Sequence, residues 1–209
     1  MTSRARRAAC RVPRAETPVV APRVVAISDG KTGQGIADIL STAYTGPVRG
    51  IDHQFIDITP QSLSTAALTP GLFIHTGSGN DAVALLSGTN VVDGGTGSNF
   101  LTAGTGADTF FVDARNAAKD VWTTVSRFHH GDSVTFWGIS PASRTFNWFD
   151  DAGAAGYTGL TLQAKSAGSP NALLTLPGFS RADLASGRLS AVFGHDTPSE
   201  SNFLYVITA

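Results

Sequence analysis

Between residues 76 and 111 one pattern of apolar and polar positions recurs every nine residues without a slip. The segments TGSGNDAVA (76–84), LLSGTNVVD (85–93), GGTGSNFLT (94–102) and AGTGADTFF (103–111) share three features. Glycine holds the fourth position (Gly79, Gly88, Gly97, Gly106), Asp or Asn the sixth (Asp81, Asn90, Asn99, Asp108), and an apolar side chain the eighth (Val83, Val92, Leu101, Phe110). Three independent features on one period mark a structural repeat. Glycine permits positive φ, so six residues can turn tightly and aim main-chain carbonyls at a common centre. The last three residues then form a minimal strand whose middle side chain alone faces inward, which predicts Val83, Val92, Leu101 and Phe110 as a thin stacked core.

Outside the repeats, short apolar or alternating stretches at 24–28, 53–59 and 71–75, separated by Gly, Pro and Thr clusters, predict strands. Residues 36–44 are compatible with a short helix or with a further rung of the same stack. Downstream, 121–128 and 133–139 read as two strands of a hairpin, because His129-His130-Gly131-Asp132 has turn chemistry. Residues 145–149 and 160–164 predict a second pair, and 172–176, 189–193 and 203–208 three more strands, so the C-terminal third is expected to be antiparallel β. One short helix is expected over 180–185, with Ser180 as N-cap and Asp183 at the capping-box position.

Composition agrees with strands and turns. The chain has 209 residues and 23 glycines, and its acids are nearly all Asp, with only Glu16 and Glu200 as glutamate. The net charge of −1 hides an asymmetry: residues 1–23 hold six arginines and one acid, leaving nine basic and fifteen acidic side chains in the body. An acidic body argues against nucleic-acid binding and suits a cation, whereas the basic tail could touch polyanions. That tail, with Pro13, Pro18 and Pro22 and no apolar period, reads as disordered. The single cysteine, Cys10, excludes an intramolecular disulfide and Cys-based zinc motifs. No apolar run approaches the roughly 20 residues of a transmembrane helix, and the N-terminus lacks the apolar core of a cleaved signal peptide.

The chemistry of the repeat points to a hard cation. Turn carbonyls with one side-chain oxygen from position six suit Ca²⁺, which takes six to eight oxygens at about 2.3–2.6 Å; Mg²⁺ suits such a turn less well. The pattern resembles the hemolysin-type (RTX) calcium-binding nonapeptide G-G-x-G-x-D-x-U-x. The segment after it, Asp108-Thr109-Phe110-Phe111-Val112-Asp113, then 120–128 and Gly131-Asp132, resembles the part that closes such rolls. The resemblance implies a right-handed parallel β-roll (solenoid) for the repeats, which the expected stacking of the strands over 24–75 beneath them extends to 24–113, and an antiparallel β cap over 114–209, with Trp122, Trp137 and Trp148 as cap residues. It implies two nonapeptides per coil, with an ion between turns two repeats apart, and so pairs 76–81 with 94–99 and 85–90 with 103–108.

The implied metal ligands are Gly77, Gly79, Asp81, Gly95, Gly97 and Asn99 in the first pair, and Gly88, Asn90, Gly104, Gly106 and Asp108 in the second. The first is favoured, because the second has Leu86 where glycine belongs. Asn at positions 90 and 99 leaves one carboxylate per pair, which lowers the expected affinity to the order of 10⁻⁴ to 10⁻³ M. A glycine-rich solenoid that kept the turns and lost the metal is the competing reading. The resemblance further implies a secreted, extracellular protein exported by type I secretion machinery through a C-terminal signal at 199–209, with folding coupled to calcium.

Other motifs carry less. Gly131-Asp132-Ser133-Val134-Thr135-Phe136-Trp137-Gly138 resembles the GDSxxxG block of SGNH hydrolases, but no Asp-x-x-His occurs to supply a base, so no catalytic residue is assigned and the chain is not expected to be an enzyme. Gly30-Lys31-Thr32 lacks the glycine that a phosphate loop needs five residues earlier. The five histidines lack zinc-ligand spacing and are expected on exposed turns or strands. The alternatives to calcium binding are a secreted adhesion or carbohydrate-binding module using exposed aromatic strands, and a GDS-type serine esterase.

Overall fold

The computed structural model describes residues 23–27, 54–56, 63–67, 71–115, 119–166, 168–197 and 199–209. Among these are fifteen strands and one short helix, so the fold is all-β. The expectations for residues 1–22 and 36–44 lie outside the described residues.

Two mixed sheets hold the strands. In the first, β1 (Arg23–Ile27), β3 (Leu63–Ala67), β5 (Ala82–Leu85), β7 (Phe100–Thr102) and β9 (Val121–Ser126) lie side by side and parallel. In the second, β2 (Gln54–Ile56), β4 (Phe73–His75), β6 (Val91–Asp93), β8 (Thr109–Asp113) and β10 (Ser133–Trp137) do the same. From β1 to β10 successive described strands therefore alternate between sheets, two strands to a circuit. Val91 pairs with Phe73 and Thr109 with Val91, an advance of 18 residues or two nonapeptides. The last circuit is longer: Ser133 pairs with Thr109 and Thr124 with Phe100, an advance of 24.

Antiparallel strands extend both sheets. β11 (Thr145–Ala152), β12 (Gly159–Ser166) and β13 (Ser169–Pro177) form an antiparallel set whose last member lies parallel to β9. In the other sheet β15 (Ser201–Thr208) sits between β10 and β14 (Leu189–Asp196), antiparallel to both. The helix α1 (Arg181–Ser186) precedes β14; Asp183 Oδ2 accepts the Ser180 N–H at 2.7 Å, the expected capping-box contact.

The expected hairpin of 121–128 with 133–139 does not form. Both strands exist, but β9 and β10 lie in different sheets, so the 127–132 turn carries the chain from one sheet to the other. The reason is long-range: Ser133 N–H donates to Asp108 O and Thr124 N–H to Asn99 O, which fixes each strand on its parallel neighbour.

Inward side chains of both sheets merge into one core. Val83, Leu101 and Val125 from the first sheet meet Ile74, Val92, Phe110 and Val134 from the second. All four eighth-position residues are at most 2% exposed, as the repeat predicts. Full burial of each such side chain stabilises by about 1.5–3 kcal/mol before conformational entropy is counted.

Candidate functional site

The six-residue turns stack in two rows, one on each side of the sheets, and the stacking depends on glycine. Gly95 lies over Gly77, and a Cβ there would fall 1.6 Å from Gly77 O; a Cβ on Gly97 would fall 1.5 Å from Gly79 O, and one on Gly106 2.0 Å from Gly88 O. Gly95 also needs φ of 66°, but Gly97 is required for space alone. The structure thus brings together both implied pairs, 76–81 with 94–99 and 85–90 with 103–108. Thr96 N–H donates to Gly77 O at 3.0 Å across the first pair. Leu86 fits in the second because its side chain is exposed while Gly104 provides the clearance, with the Leu86 carbonyl carbon 3.1 Å from the Gly104 Cβ position.

Position six forms a ladder through each row. Asn99 Oδ1 accepts the Asp81 N–H at 3.0 Å; on the other side Asn90 Oδ1 accepts from Leu72 at 3.2 Å, Asp108 Oδ1 from Asn90 at 3.0 Å, and Asp132 Oδ1 from Asp108 at 2.9 Å. Asp81, Asn90, Asn99, Asp108 and Asp132 are all buried. Asp132 is the member that the nine-residue period does not reveal, because the final circuit is six residues longer. Its signal was the Gly131-Asp132-Ser133-Val134-Thr135 stretch, which matches Ala107-Asp108-Thr109-Phe110-Phe111 position by position.

In Asn99, Asn90, Asp108 and Asp132 the second polar atom faces the residue's own turn. Asn99 Nδ2 donates to Gly94 O at 2.6 Å and Gly97 O at 3.1 Å. Asn90 Nδ2 is 3.1 Å from Ser87 O, 3.4 Å from Gly88 O and 2.9 Å from Asp108 Oδ1, so three oxygens, one of them anionic, converge on that nitrogen. Asp108 Oδ2 instead accepts the Gly104 N–H at 2.8 Å, and Asp132 Oδ2 accepts from His129 N at 2.9 Å and lies 2.6 Å from His129 Nδ1. Burial raises the Asp108 carboxyl above its ordinary 3.8; hydrogen bonds from Gly104 and Asn90 oppose the rise, and the Asp132 charge adds to it.

Among the described residues no group of three or more His, Cys, Asp or Glu side chains is arranged to hold a metal ion. A cation in these turns would therefore rest mainly on main-chain carbonyls. Of the described histidines, His130 and His195 are exposed as expected, whereas His75 is largely buried with Nδ1 3.2 Å from Asp93 Oδ2, and the partly exposed His129 is the Asp132 partner. Asp93 in turn accepts the Gly95 N–H at 2.9 Å and steadies the 94–99 turn.

Ser133 is buried on β10, and its hydroxyl donates to Thr109 Oγ1 at 3.2 Å. Trp137 is buried and stacks on Phe203 with ring centroids 5.8 Å apart. Trp122 is exposed and donates from Nε1 to Thr175 Oγ1 at 2.7 Å, while Trp148 packs partly buried against the core. No described helix is long and apolar enough to cross a membrane. No family model matches the chain, and no curated protein or solved structure matches it.

Proposed function

We propose that the chain binds calcium ions through hemolysin-type (RTX) nonapeptide turns, in a parallel β-roll over 24–113 closed by an antiparallel β cap over 114–209. The observation that carries the reading is the convergence of Ser87 O, Gly88 O and Asp108 Oδ1 on one point, within 3.4 Å of the Asn90 amide nitrogen. Carbonyls plus one carboxylate are the kinds of oxygen that a hard cation such as Ca²⁺ selects. This favours the second turn pair, where Gly88, Asn90, Gly104, Gly106 and Asp108 would hold the ion. Gly77, Gly79, Asp81, Gly95, Gly97 and Asn99 would hold another between 76–81 and 94–99, where two carbonyls converge on Asn99 Nδ2.

When bound, calcium would bridge turns of successive coils and stabilise the folded chain by mass action, since the unfolded chain brings no such oxygens together. A secreted protein meets calcium outside the cell at the concentrations such a weak site needs. Type I export fits the C-terminal strand, because 201–208 pairs with both β10 and β14 and could be read as a signal only before the chain folds.

The test is calorimetric titration of chelator-treated protein with calcium, with magnesium as control and Asp108→Ala as the variant. Half-saturation at about 10⁻⁴ to 10⁻³ M for calcium, weakened in the variant, is the expected result. No calcium-specific heat and no shift in melting temperature at about 10 mM, above that range, would refute the reading.

A further inference from the structure

The two asparagines of the ladder do more than dilute the charge of the site. Only one orientation of each amide satisfies its surroundings, because Oδ1 must face a main-chain N–H and Nδ2 must face oxygens. Asn99 Oδ1 takes the Asp81 N–H while its Nδ2 reaches Gly94 O and Gly97 O. Asn90 Oδ1 takes the Leu72 N–H while its Nδ2 reaches Ser87 O, Gly88 O and the Asp108 carboxylate. In both turns the –NH₂ stands where the oxygens converge, and its hydrogens carry the positive end of a dipole towards them.

We infer that the Asn90 and Asn99 amides are built-in substitutes for a cation: they close their turns without metal, and calcium binds only by displacing them. The inference rests on the calcium reading above and refines it. A bound ion would need the amide to turn about χ2 so that Oδ1 faces the ion, which takes that oxygen away from the Asp81 or Leu72 N–H. The wild-type stack is therefore complete in the absence of calcium and responds to it weakly. With Asp at either position, a carboxylate would face the same carbonyls with no hydrogen to donate, and a cation would be required to hold the turn together.

The experiment uses the full chain, treated with chelator and then titrated with calcium chloride, with magnesium as control. Wild type is compared with Asn90→Asp, Asn99→Asp and Asn99→Ala by far-UV circular dichroism, thermal melting and calorimetry. Wild type should melt cooperatively in chelator. Each Asp variant should lose melting temperature in chelator and regain it in calcium, with half-saturation at least ~10-fold below that of wild type, as added ligand charge requires. Asn99→Ala, which loses the donor and adds no charge, should be destabilised in both media. Three results overturn the inference: wild type unfolded in chelator, Asp variants that calcium neither restores nor binds more tightly, or Asn99→Ala restored by calcium as fully as Asn99→Asp. If wild type binds no calcium but the Asp variants acquire it, the inference stands and the wild-type function fails. If wild type binds calcium and the Asp variants gain nothing, the reverse holds.

Discussion

Substituting Gly97 by alanine tests the stack at its tightest point. The new Cβ would lie 1.5 Å from Gly79 O, 2.5 Å from Gly79 C and 3.3 Å from Asn80 N, all of them main-chain atoms that cannot swing aside. Real contacts of this kind stay beyond 3.0 Å, so the turns must separate by on the order of 1.5 Å. That displacement breaks bonds that join the two turns: Thr96 N–H to Gly77 O at 3.0 Å, Asp81 N–H to Asn99 Oδ1 at 3.0 Å and Ser98 N–H to Asn80 Oδ1 at 2.9 Å. Each is worth about 0.5–1.5 kcal/mol net, and the overpacking adds about 1–3 kcal/mol, which together give a loss of about 2.5–7.5 kcal/mol. Gly156 provides the comparison. It has φ of 81° with nothing near its Cβ position, so Gly156→Ala should cost only the backbone strain of about 1–2 kcal/mol. Urea unfolding followed by tryptophan fluorescence, in chelator, measures both. If Gly97→Ala loses no more than Gly156→Ala, the close approach of the turns is not what glycine provides at position 97.

Three further outcomes follow from the same contacts. Burial places the Asp108 pKa in the folded chain above the 3.8 of the unfolded chain, so its contribution to stability is fully present below 3.8 and is lost as pH rises through the folded value. In chelator, the stability of wild type minus that of Asp108→Asn should therefore grow as pH falls from neutral towards 3.8, and urea curves showing a shrinking gap would contradict this. Leu101→Ala, at a fully buried eighth position, should cost about 2–5 kcal/mol by the same denaturation assay, and a value under about 1 kcal/mol would mean the inward column is not a packed core. Thr208→Val removes a hydroxyl that donates to His129 O at 2.8 Å and accepts the Gly131 N–H at 3.1 Å; thermal melts should show a loss of about 1–3 kcal/mol, and no change would mean that this hydroxyl does not secure the C-terminal strand.

The repeat was legible because glycine, Asx and an apolar residue each recur at nine, and those positions became the close approach, the ladder and the core. The capping box of α1 was legible because its partners are three residues apart. What escaped was any feature set by contacts distant in sequence. His129-His130-Gly131-Asp132 announces a turn correctly, but turn chemistry does not say which sheet receives the next strand; the Asp108 N–H on Asp132 Oδ1, 24 residues away, decides that. The pairing of His75 with Asp93 is hidden for the same reason, at a separation of one coil. Residues 63–67 escaped because LSTAA has neither an apolar run nor strict alternation, and its strand is held between two parallel neighbours, β1 and β5. Leu86 at a glycine position argues against the second turn pair by residue type, but residue type does not show which rung of the stack needs the space. In the stack, it is the glycine on the opposite rung that sets the clearance.

The identity of the sixth residue also matches the orientation of peptide groups in its turn. Where it is Asn, carbonyls face inward: Gly94 and Gly97 towards Asn99, Ser87 and Gly88 towards Asn90. Where it is Asp108 or Asp132, an N–H faces inward, from Gly104 or His129. A buried carboxylate needs donors and a buried amide nitrogen needs acceptors, so these four turns supply what their own residues lack. The row through 90, 108 and 132 can then hold two stacked carboxylates, because the Asn90 amide donates to Asp108 while His129 partners Asp132. Position six therefore sets how much of the turn's electrostatics the chain satisfies internally. An Asp in a turn whose carbonyls face inward leaves the most unsatisfied. The turns ending at 90, 99 and 108 lack that combination, and the Asn90→Asp and Asn99→Asp substitutions would create it.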